Sequence, residues 1–212
     1  DPSPARWPMD WAMAAAEPTL ISVALPVHRA GSELDDAIAA ILAQDHAALD
    51  LMIVLNGADE PTRVRAHAAA QRDRRVRVLT LEYASLPAAL NLALREARSD
   101  FVARMDADDI CPPERLRLQL AAALAQPSLA AIGSAWAMEE TAGPRAGTIS
   151  AVRRPSTDPR EARWRLLLGN GFFSGSEIAL ISARKAALRK RADDGSRGAQ
   201  LAELLRQEPE RF

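Results

Sequence analysis

Four short apolar runs, each followed by a segment with helical patterning, constrain this chain more than anything else in it. The runs are Leu20-Ile-Ser-Val-Ala-Leu25, Leu51-Met-Ile-Val-Leu55, Val76-Arg-Val-Leu-Thr-Leu81 and Phe101-Val-Ala-Arg-Met. Between them, Leu34, Ile38, Ile41 and Leu42 recur at helical spacing behind a capping Ser32. Residues 60–73 read as a polar, Arg-rich helix, and Leu90, Leu94 and Ala97 mark a third. A fourth helix, starting around Pro112 and Pro113, carries Leu116, Leu120 and Leu124. Strands that are mostly apolar on both faces and alternate with helices define an α/β fold: a mainly parallel sheet with helices on both faces.

In an open parallel sheet, ligands bind outside the carboxyl ends of the strands. That rule gathers the loops at Pro26–Arg29, Asn56–Asp59 and Asp106–Asp109 on one edge. The last is the most distinctive, because an apolar run ends abruptly in Asp106-Ala-Asp108-Asp109. If strand alternation continues through it, Asp106 and Asp108 leave the sheet on the same side. Two such carboxylates suit a hard divalent ion, Mg2+ or Mn2+, whose other positions go to water and phosphate oxygens. The expected ligand is therefore phosphorylated. The competing reading is a solvated loop with Asp109 capping the next helix.

The chain of 212 residues, 48% hydrophobic, has a formal net charge of −1, so nothing draws it to nucleic acid. The single Cys111 excludes an internal disulfide and reads as a buried neutral thiol. His28, His46 and His67 match no zinc spacing. No apolar run reaches the length of a spanning helix, and residues 1–19 form an arm without secretory character, which places the protein in the cytoplasm. Beyond the fourth helix, Leu129–Trp136 reads as a strand. Thr141–Pro144 is a turn, residues 146–153 return as a hairpin arm, and residues 158–168 form a helix burying Trp164, Leu167 and Leu168.

Over residues 20–170 the chain resembles the family 2 glycosyltransferases, whose nucleotide-sugar-binding fold is called GT-A. The resemblance is carried by Val23-Ala-Leu-Pro-Val-His28, Ile41-Leu-Ala-Gln44, Ala88-Ala-Leu-Asn91-Leu-Ala-Leu and Ala103-Arg-Met-Asp106-Ala-Asp108-Asp109. It continues through Pro113-Glu-Arg-Leu-Arg-Leu-Gln119 and Trp164-Arg-Leu-Leu-Leu-Gly-Asn170. It implies a nucleoside diphosphate sugar, with uridine as the expected base, held by Pro26, Val27, His28, Asn56 and Asp59, and an acceptor left unspecified. Asp106 and Asp108 would hold the metal against the diphosphate, Asn91 would lie near the sugar or brace two loops, and Arg104 would pair with a phosphate or with Asp108. Two departures stand out. Leu55-Asn56 replaces an acidic pair, and the Glu-Asp motif that supplies a catalytic base is absent, leaving only Glu177, Asp193 and Asp194 as available acids.

Residues 171–212 resemble the early part of the hemolysin-related CorC/CNNM membrane proteins, through Phe172-Phe-Ser-Gly-Ser-Glu177-Ile-Ala-Leu-Ile-Ser-Ala-Arg184 and Glu208-Pro-Glu-Arg-Phe212. They read as two helices, 174–192 and 196–207, joined to a shortened transferase core near Asn170. Ile178, Ile181 and Leu188 form an apolar stripe suited to a membrane or a partner. Two functions stay open: a metal-dependent sugar transferase, and a non-catalytic nucleotide-binding remnant whose tail makes contacts.

Overall fold

The structure, a computed structural model, describes residues 19–127, 131–141, 143–154 and 179–181. Strands β1 (Ile21–Val27), β2 (Leu49–Asn56), β3 (Val76–Leu81) and β4 (Phe101–Arg104) run parallel. Helices α1 (Glu33–Leu42), α2 (Glu60–Arg72) and α3 (Leu86–Glu96) connect them, and α4 (Arg115–Ala125) follows β4.

The sequence dictates this layering by alternation. Ile21, Val23, Leu25 and Val27 of β1 and Leu49, Leu51, Ile53 and Leu55 of β2 pack in one cluster with Leu34, Ile38 and Ile41 of α1 and Leu116 and Leu120 of α4. The intervening Ala24, Met52 and Val54 pack on the opposite face with Ala89 and Ala93 of α3. Each large aliphatic side chain so buried contributes about 1.5–3 kcal/mol. The stripe expected on α3 is displaced by one position. Ala89 and Ala93 are fully buried while Leu90 and Leu94 flank them half-buried, because the small residues let the helix approach the sheet. On α4, Leu124 is exposed rather than buried.

Among the described residues the sheet has the order β3-β2-β1-β4-β8-β5, where β5 is Ile132–Gly133 and β8 is Ala179–Ile181. The expected strand over Leu129–Trp136 is divided between two sheets, because β6 (Trp136–Glu139) pairs instead with β7 (Ile149–Arg153) in the anticipated hairpin. Strand β8 is antiparallel to both β4 and β5. This corrects the helix expected over 174–192: residues 179–181 take an extended conformation where the outer edge of β4 offers unpaired backbone groups. The expected arm, the 158–168 helix and the 196–207 helix lie outside the described residues. No helix among those described is long and apolar enough to cross a membrane.

At the amino end of the sheet, the Arg77 guanidinium grips Asp50 through two 2.7 Å hydrogen bonds and donates a third, of 3.0 Å, to the Glu96 carbonyl. Asp50 is only 5% exposed. The bond to Asp50 holds Arg77 above its ordinary pKa, against the opposing effect of burial. One ion pair thereby joins β2, β3 and the end of α3.

Candidate active site

The four parallel strands deliver their following loops to one edge. At its centre the chain reverses direction across the sheet, since β2 and β3 lie to one side of β1 and β4 to the other. A crevice at such a switch point is where an α/β sheet takes its ligand. Pro26 and Val27 are buried within β1 rather than in the loop after it. Proline is tolerated there for a definite reason. The Ala24 carbonyl accepts from Met105 N at 3.0 Å, so the β1 groups two residues on also face the β4 side, where pairing has stopped at Ala24–Arg104. Pro26 lacks a donor where no acceptor waits. The two strands part at this point, and the crevice opens between them.

On the β1–β3 side, hydrogen bonds stitch three loops together. His28 Nδ1 lies 2.8 Å from the Asn56 carbonyl, which can only accept, so Nδ1 carries the proton. Asn56 Oδ1 in turn accepts from Ser85 N at 2.6 Å, at the start of α3. Asn56 is therefore a buried brace, with its carbonyl and its side-chain oxygen both engaged inside the protein. Asp59 caps α2, accepting from Thr62 N at 3.2 Å, and that bonding to Thr62 holds its carboxyl below the ordinary value. Thr62 Oγ1 accepts from Ala30 N at 3.1 Å and so fixes the loop after His28. Asn91 is half-buried in α3, and its side chain makes no hydrogen bond among the described residues.

Gly57 joins these loops through a left-handed turn at φ 59°, with its N–H donating to Leu81 O at 2.8 Å. A Cβ there would stand 2.7 Å from Ala84 N and 2.9 Å from the Tyr83 carbonyl carbon. Gly57→Ala is therefore expected to lower stability by roughly 2–4 kcal/mol, combining the left-handed penalty with a forced backbone shift. Urea denaturation would measure it.

On the β4 side the strand stops at Arg104, and residues 106–109 form a turn in which Asp109 N donates to Asp106 O at 3.2 Å. The strand alternation assumed for Asp106 and Asp108 thus does not extend to them. Arg104 pairs with Asp106 and not with Asp108: Nε to Oδ1 at 3.1 Å, and Nη2 to Oδ1 at 2.8 Å and to Oδ2 at 3.0 Å. Asp108 is exposed, and Asp109 does not cap α4, which starts after Glu114.

Two residues to which the sequence assigned no role of their own hold this turn in place. Gln44, at the end of α1, donates to the Pro112 carbonyl at 2.7 Å and accepts from Leu116 N at 2.9 Å. It caps α4 from another helix, where Glu114 supplies no side-chain cap. Arg115, 6% exposed, donates Nη2 to the Arg104 carbonyl at 2.8 Å, and burial pushes its guanidinium below the ordinary value. The signal in each case was a polar residue next to apolar helical positions: Gln44 just past the end of α1, and Arg115 beside Leu116. Cys111 is buried as expected, and burial pushes its thiol up.

Among the described residues no group of three His, Cys, Asp or Glu side chains could form an all-protein metal cage. The hard oxygen donors of Asp106 and Asp108 instead fit an ion such as Mg2+ or Mn2+ that takes one or two carboxylates and completes its shell with phosphate and water. Glu177, Asp193 and Asp194, the acids available as a base, lie outside the described residues.

A parallel sheet with helices on both faces, crossed at its switch point by an acid turn, is the GT-A arrangement of nucleotide-sugar transferases. Residues 22–188 match Glycosyl transferase family 2, and the chain belongs to that family. It is 38% identical over 102 residues to the O-antigen biosynthesis glycosyltransferase WbnJ of Escherichia coli, covering 47% of this chain and 40% of that protein. The chain thus spans about two fifths of this curated relative's length. Among solved structures, S. aureus TarS in complex with UDP superposes with a TM-score of 0.52 at 16% identity, over 82% of this chain and 49% of that one. One stretch of 47 residues, 22% of the chain, is 51% identical to UPF0053 protein sll0260 of Synechocystis sp., covering 10% of it. That one short, distant match backs the CorC/CNNM resemblance only weakly, and the family 2 match continues to residue 188, past the expected junction at 170.

Proposed function

We propose that this chain forms the donor-binding part of a family 2 glycosyltransferase and takes a UDP-sugar at the edge where β1 and β4 part. The observation that carries this reading is the acid turn of Asp106 and Asp108 standing at the switch point of the sheet. Family membership and the GT-A likeness to TarS, a UDP-binding protein, support it.

In this reading Asp106 and Asp108 hold Mg2+ or Mn2+, which, when bound, neutralises charge developing on the departing diphosphate. Pro26 and Val27 shape the crevice wall, and His28, with Nδ1 committed to Asn56, offers Nε2 outward when the ring is neutral. Asn56 and Asp59 act mainly by fixing the loops around the base and ribose, and the Asn91 side chain, with no hydrogen bond among the described residues, is available to the sugar. Transfer joins an acceptor hydroxyl oxygen to the anomeric carbon as that carbon's bond to the phosphate oxygen breaks. UDP leaves, and the hydroxyl proton passes to a general base.

Calorimetric titration of UDP and UDP-sugars, with Mn2+ and with a chelator, tests the proposal. Binding that needs the metal and disappears with chelator is expected. Absence of binding under both conditions would overturn it.

A further inference from the structure

The proposed metal ligand Asp106 already has a cation. Arg104 makes three hydrogen bonds to its two oxygens, against about four lone-pair sites on an ionised carboxylate. The pair is lopsided: the Arg104 side chain is 7% exposed and that of Asp106 27%. The buried member is therefore the cation. Removing its partner strands a guanidinium in a site where a charge without a counter-ion is costly. Among the described residues, Asp106 is the carboxylate hydrogen-bonded to this guanidinium. A divalent ion arriving alone at Asp106 would bring a second positive centre to this carboxylate and draw it away from Arg104.

We propose that Arg104 is the resident counter-cation of the acid turn, and that Asp106 passes to a divalent ion only when a diphosphate arrives to take the guanidinium in exchange. The proposal rests on the donor-site reading above. A guanidinium fork matches carboxylate and phosphate geometry alike, so the exchange keeps Arg104 paired throughout. Asp108, exposed and carrying no such partner among the described residues, is the carboxylate available to the ion from the start. The device makes metal and nucleotide binding mutually dependent: whatever factor UDP adds to metal affinity, the metal adds to UDP affinity. It also keeps the turn from filling with metal when no donor is present.

Titration of Mn2+ into the full chain, with free ion followed by electron paramagnetic resonance, tests this with and without UDP. Wild type, Arg104→Met and Arg104→Lys are compared, with circular dichroism as a check on folding. In wild type, Mn2+ alone binds weakly and UDP tightens it by about tenfold or more. In Arg104→Met, Mn2+ alone binds about tenfold tighter than in wild type and UDP adds correspondingly less. Arg104→Lys keeps the charge but loses the fork, and falls between the two. If wild type couples Mn2+ to UDP while both folded variants bind Mn2+ alone no more tightly than wild type, the counter-cation role is wrong and the donor site stands. Should Arg104→Met not fold, Arg104→Lys decides by the same criterion. If wild-type binding of UDP shows no metal dependence, the donor-site reading fails and this inference with it.

Discussion

Asp108→Asn leaves the protein as stable as wild type and removes its metal-dependent affinity for UDP, by on the order of a hundredfold or about 2.8 kcal/mol at 1.4 kcal/mol per decade. Both halves of that expectation come from the position of the residue. Asp108 is exposed on the acid turn, and no side-chain hydrogen bond or ion pair ties it to another described residue, so its loss should move stability by no more than about 0.5 kcal/mol. Asparagine preserves the turn but supplies no charge, and a hard divalent ion gains most of its binding from carboxylate charge. Asp106→Asn is a less clean experiment, because it also takes the partner from Arg104, whose side chain is 7% exposed. Calorimetry with UDP and Mn2+, paired with urea denaturation of the same samples, separates the two effects. Unchanged UDP affinity in Asp108→Asn would remove this residue from the metal site.

The largest loss of stability is expected far from that edge, from Arg77→Met. The substitution leaves the Asp50 carboxylate, 5% exposed, with only a 3.4 Å bond from Ser22 Oγ. Breaking a buried pair from one side costs about 3–5 kcal/mol, because the remaining charge is desolvated without compensation. The Glu96 carbonyl also loses its donor. Adding Asp50→Asn to Arg77→Met should recover a large part of the loss, since the stranded charge is then gone. A denaturation cycle over the two single variants and the double variant measures the coupling. Additive losses would mean that the two residues contribute independently.

The parts of the fold that were legible in the sequence share a physical cause. Strands β1 and β2 are apolar along one whole side and over the middle of the other, as a sheet covered on both faces requires, and the two clusters divide along that alternation. The order of the loops along one edge followed from parallel pairing. What was not legible depends on where regular structure stops. Alternation carried past Arg104 into the acid turn gave Asp106 and Asp108 a common side, and neither partner the resemblance offered Arg104, a phosphate or Asp108, was Asp106. A chain that turns two residues later instead folds Arg104 back onto Asp106. Asn56 was read as a nucleotide contact because an amide has the same chemistry whether it braces loops or binds a ligand. Its bonds to His28 and to Ser85 depend on residues 28 and 29 positions away, which no local pattern reports. Strand β8 was missed for a related reason: its Ala-rich surroundings favour helix, and only an edge built about eighty residues earlier makes an extended conformation preferable.

That late strand has a consequence for how the protein is made. Parallel pairing of β1 to β4 can be complete once residue 104 has emerged from the ribosome, but β4 gains its outer neighbour only with residues 179–181. At about 5–20 residues per second, the nascent chain carries an open strand edge for roughly 4–15 seconds. Throughout that interval the polysome holds many copies of the same unpaired template close together. Slowing translation between residues 104 and 179 should therefore raise the aggregated fraction without altering a single contact of the finished protein.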